Sequence, residues 1–115
     1  MSRLDKEHFI RTKAVENQDS PFGEKILWSR HAIVELLKDG LTRLQVEQAL
    51  ISGEIIEDYP AEHRPLPDCL ILSKLGPKVP IHVVVAIDEN NDRIFIVTVY
   101  LPAKDRRQDD WRTRK

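Results

Sequence analysis

The chain has a single cysteine, Cys69, among its 115 residues, so no internal disulfide can form and no set of thiols exists to hold a structural zinc. Its four glycines, Gly23, Gly40, Gly53 and Gly76, stand too far apart for a phosphate-cradling loop or a glycine-rich dinucleotide turn. The histidines show neither H-x-x-x-H nor H-E-x-x-H spacing, and no G-x-S-x-G elbow is present. Neither a metal nor a cofactor is expected. The longest apolar run is far too short to cross a bilayer, and the opening MSRLDKEHFI has no signal-peptide core, which predicts no membrane partner and a cytoplasmic location. A net charge of −1 argues against a general nucleic-acid coat but leaves room for a local basic groove.

What is present describes one ordinary domain, with 41% apolar and 32% charged residues and enough length to bury a core without staples. Charge is unevenly spread. Residues 1–60 carry 8 basic and 11 acidic side chains, residues 61–115 carry 10 and 8, and the basic tail KDRRQDDWRTRK holds 6 bases against 3 acids. Cys69 opens the apolar run CLIL, which suits a small buried hydrophobe better than a nucleophile, because no neighbouring feature would lower its pKa.

Residues 1–23 are polar and end in Ser20-Pro21-Phe22-Gly23, which reads as an N-terminal arm or short helix before a single domain over 24–115. Ile26-Leu27-Trp28 suits a short edge strand. Ser29 is an N-cap for a helix through Asp39 with Ile33, Leu36 and Leu37 on one face and Gly40 as its stop. Thr42 and Gln45 form a T-x-x-Q capping box that opens a second helix, stopped at Gly53. From Glu54 the period changes. Strands are expected around Ile55–Tyr59 and Cys69–Lys74, joined by the proline-rich PAEHRPLPD, and then one long hairpin over residues 79–102. Helices first and strands later predict an α+β fold, with two N-terminal helices packed on an antiparallel sheet of about four strands.

The hairpin, VPIHVVVAIDENNDRIFIVTVYLP, carries a histidine, a threonine and a tyrosine on otherwise apolar arms. If Glu89 faces Arg93 across a three-residue loop, His82 lies opposite Tyr100 and Val84 opposite Thr98, with the polar groups on one face; a slip of one residue would separate them.

The ordered series Ser29-Arg30-His31-Ala32, Gly40-Leu41-Thr42, Val46, Gly53-Glu54-Ile55-Ile56-Glu57-Asp58-Tyr59-Pro60, Pro80-Ile81-His82-Val83-Val84 and Thr98-Val99-Tyr100-Leu101-Pro102, ending in Trp111, resembles the domain-of-unknown-function 4258 family of small bacterial proteins. That family is similar to the RelE, BrnT and MqsR toxin superfamily. The resemblance implies a RelE-like fold, metal-independent cleavage of RNA, and a cognate antitoxin protein as partner. Relatives tend to carry a basic residue four positions after the HA-motif histidine, where Glu35 stands here and sets up an i, i+4 pair with His31.

RNA cleavage without a metal needs a base for the 2′-hydroxyl, an acid for the departing 5′-oxygen and a cation for the phosphate. On this resemblance, His31, His82 and Tyr100 are the catalytic candidates, Tyr100 also as a stacking ring. Thr98 would position a phosphate oxygen, and Arg64 and Arg93 would clamp the phosphate, a guanidinium meeting two oxygens at once. The alternative is a non-catalytic module that binds a protein through the same sheet face or an exposed strand edge.

Overall fold

The computed structural model describes residues 1–20, 24–59, 65–77 and 79–102. Its elements run α1 (Arg3–Asp19), β1 (Ile26–Trp28), α2 (Arg30–Lys38), α3 (Arg43–Ala49), β2 (Glu54–Tyr59), β3 (Asp68–Lys74), β4 (Pro80–Asp88) and β5 (Arg93–Tyr100), with short 3₁₀ turns at Leu50–Ser52 and Glu89–Asn91. The strands form one sheet in the order β1-β5-β4-β3-β2. The fold is α+β, and the described residues form three helices and a five-stranded mixed sheet in place of the expected two helices and roughly four antiparallel strands.

Both differences come from contacts between distant parts of the chain. β1 pairs with β5 in parallel, Leu27 beside Phe95, across nearly the whole length of the domain. Strand propensity marks such a segment, but not its distant partner. The expected arm is largely α1, which opens with a capping box between Ser2 and Asp5. Its buried positions are Lys6, Ile10, Lys13 and Ala14, so two lysines stand where a helical apolar stripe would be sought. Each lysine is neutralised. Lys6 Nζ meets the Asp58 carboxylate, and Lys13 Nζ meets Glu16 at 2.8 Å and Asp92 at 2.6 Å.

The other caps follow the sequence. Ser29 Oγ accepts from the Ala32 N–H at 3.0 Å to start α2, Gly40 leaves it at φ +67°, and Thr42 and Gln45 form the reciprocal box of α3. Gly53 is required for space: a Cβ there would sit 2.5 Å from Ile71 Cγ2.

The core lies between the helices and one sheet face. Ile10 and Ala14 of α1, Ala32 and Leu36 of α2 and Val46 and Ala49 of α3 close over Ile71, Val83, Val85, Ile94, Ile96 and Val99. Strand alternation turns the intervening residues to the other face. There the register forms rows across the sheet: Leu27, Phe95, Ala86, Asp68 and Tyr59; then Thr98, Val84, Leu70 and Glu57; then Tyr100, His82, Leu72 and Glu54.

Candidate functional site

The β4–β5 hairpin places the polar groups on this second face, though not by the turn the sequence suggested. Asp88, not Glu89, pairs with Arg93, and the loop contains a 3₁₀ turn and ends on Asp92 in the left-handed region. That shift alone would separate the pair. A bulge restores it: Val85 faces Ile96 while Val84 faces Thr98, so Val97 is the extra residue and His82 again lies opposite Tyr100. The bulge is tied to the helix layer, because the Val97 carbonyl accepts from Ser29 Oγ at 2.8 Å while that oxygen caps α2.

His82 Nδ1 stands 3.2 Å from Tyr100 Oη, and the rings meet edge to face, 5.3 Å between centroids at 72°. The hydroxyl donates when the imidazole carries its proton on Nε2. His82 has no accessible surface, and Tyr100 and Thr98 are half-buried. Tyr100 is thus the more accessible member of the pair.

Arg93 begins the same strand. Its Nε donates to Asp88 Oδ2 at 3.0 Å, and its guanidinium carbon lies 5.1 Å from the Phe95 ring centre. The Asp88 carboxyl sits below the usual range because Asn91 and Arg93 donate to it, outweighing the opposing effect of burial. Asp92 takes no part. It accepts instead from Lys13 and Lys25, which depress its carboxyl to about 2.

His31 is exposed in the first turn of α2, in the helix layer and so on the other side of the sheet from the His82–Tyr100 pair. Glu35 reaches Lys38 at 3.7 Å and makes no ion pair with His31. Arg64 and Trp111 lie outside the described residues. The sheet therefore brings together His82, Tyr100 and Thr98, with Arg93 on the same face at the hairpin end.

Sequence reading passed over Phe95 and Asp88. Both were accessible to the same alternation argument, since residues 93 and 95 share a face and position 88 precedes the turn. Among the described residues no group of three or more His, Cys, Asp or Glu is placed to hold a metal ion, and no helix is long and apolar enough to cross a membrane.

The family described as a domain of unknown function, DUF4258, matches residues 28–101, well over half of the chain. The chain belongs to this family. No curated protein and no solved structure matches it significantly.

Proposed function

We propose that the chain is a RelE-like, metal-independent endoribonuclease, the toxin of a bacterial toxin–antitoxin pair, acting through the sheet face that the three helices leave uncovered. The observation that carries this reading is the His82–Tyr100 contact of 3.2 Å beside Thr98. Tyr100 Oη takes the proton from the 2′-hydroxyl as it passes its own to His82 Nδ1, and the freed 2′-oxygen attacks phosphorus. The return of that proton to the departing 5′-oxygen completes the transfer without a metal. Thr98 holds a phosphate oxygen, and Arg93 supplies positive charge, with Arg64 of the proline-rich loop as a second clamp. His31, in the helix layer, is left out of this step. The cognate antitoxin is the protein partner.

Labelled single-stranded RNA in EDTA tests the reading, with RNA on translating ribosomes as the second substrate. Cleavage by the parent is expected to fall about 10²–10⁴-fold in Tyr100→Phe, with unchanged circular dichroism. Intact RNA in both settings would overturn it. The complete burial of His82 favours a second reading, a non-catalytic module whose sheet face binds a protein, in which the pair serves packing alone. That reading requires the parent to leave both RNA substrates intact.

A further inference from the structure

β2 is the last strand of the sheet, and an edge strand turns a row of backbone groups outward. At the start of β2, α1 satisfies them. The Arg3 guanidinium donates to the Ile55 carbonyl, Glu7 Oε1 accepts from the Ile55 N–H at 2.8 Å, and Arg11 Nε donates to the Gly53 carbonyl at 2.8 Å. The three side chains are spaced i, i+4, i+8, so they form one line along the helix. At Ile55 and Gly53, side chains thus make the hydrogen bonds that a sixth strand's backbone would supply.

The cap is held by charge as much as by apolar burial. Only Ile10 and Ala14 of α1 are buried apolar residues, and the other two buried positions are the lysines. α1 also lies before residue 28, where the family's domain begins. The chemistry of the cap shows what the edge accepts: two guanidiniums on carbonyls and the Lys6 ammonium on Asp58, beside a strand bearing Glu54, Glu57 and Asp58. A second copy's β2 would bring the same acids face to face, which disfavours self-pairing.

We propose that α1 is a displaceable cap on a strand-addition site, and that the β2 edge receives an extended basic segment of a partner protein when α1 lifts away. Backbone pairing supplies affinity and the acidic side chains select the partner. The cap lowers the apparent affinity by the fraction of time the edge is open. This site stands independently of the ribonuclease reading, because it lies at the opposite end of the sheet from β1–β5 and uses none of His82, Tyr100, Thr98 and Arg93.

The test is a titration of the full ¹⁵N-labelled chain with a blocked peptide of alternating lysine and valine, followed by NMR. Both Glu7→Ala and the double variant Arg3→Ala/Arg11→Ala are expected to bind it about tenfold more tightly than the parent, with shifts concentrated on residues 54–59. The first removes a negative charge and the second removes two positive ones. Mere electrostatic attraction would therefore strengthen only the second. A peptide N-methylated at alternate residues should not bind. Equal affinity for all three proteins, shifts centred elsewhere, or full binding of the methylated peptide would each overturn the proposal. The parent chain gives a measurement that no variant's folding can confound. Its Ile55 amide should exchange with solvent faster than that of Ile71, its neighbour across the ladder, and saturating peptide should slow it. Exchange of Ile55 only through global unfolding would mean that α1 does not lift, and would equally sink the idea.

Discussion

The side chains that decide this molecule's chemistry are defined by their neighbours more than by their identities. Burial pushes the Cys69 thiol up to about 12, an effect only partly offset by nearby Lys6, so the thiolate is scarce at any ordinary pH. Iodoacetamide at pH 8 is therefore expected to leave the folded protein unmodified and to add one adduct after denaturation, as read by intact mass. Rapid alkylation of the native chain would contradict the burial. Lys13 shows the opposite balance: burial alone would lower its pKa, but Asp92 and Glu16 outweigh it and raise it. A buried lysine held charged by two carboxylates is costly to break, since either partner's loss strands a desolvated charge. His82 and Tyr100 are the clearest case of residues legible as a pair from sequence. Their pairing was reached there through a turn one residue too short and a bulge left out, two shifts that cancel.

At the level of elements, caps and stops were the most readable signals. Ser29, Gly40, the Thr42–Gln45 box and Gly53 bound α2 and α3 where side-chain chemistry says they should, because a cap is a local bargain between a few adjacent residues. Thr42→Ala is expected to cost about 1 kcal/mol in urea unfolding. Gly53→Ala should cost more, about 1–3 kcal/mol, because the added methyl meets a β-branched Ile71 that the core holds in place. A Gly53→Ala protein as stable as the parent would show that this contact relaxes freely. The pairings made over distance were less readable. The parallel seat of β1 against β5 and the docking of α1 depend on residues that meet only in three dimensions, and in α1 the meeting is written in lysines and arginines that a periodicity search counts as surface. Arg93 is a further instance: its carboxylate partner is Asp88 across the turn, while the adjacent Asp92 is drawn off by α1.

The molecule as a whole is held together along its helix side by ion pairs that span the chain. Lys13 and Lys25 both converge on Asp92, joining α1 and the segment before β1 to the tip of the last hairpin. Because the Asp92 carboxyl is depressed to about 2 from an ordinary 3.8, its contribution to stability is complete above pH 4 and disappears as pH falls through 2. Thermal melts should therefore show Asp92→Asn less stable than the parent at pH 5, with the gap closing between pH 4 and pH 2. A gap independent of pH over that range would count against the clasp. The same clasp has a consequence for how the chain is made. α1 is synthesised before all the groups that anchor it: Gly53, Ile55, Asp58 and Asp92 follow by dozens of residues. On the ribosome this helix thus emerges well before it can dock, and until β2 and the hairpin tip follow, Arg3, Lys6, Arg11 and Lys13 stay solvated and available to whatever acidic surface lies nearby.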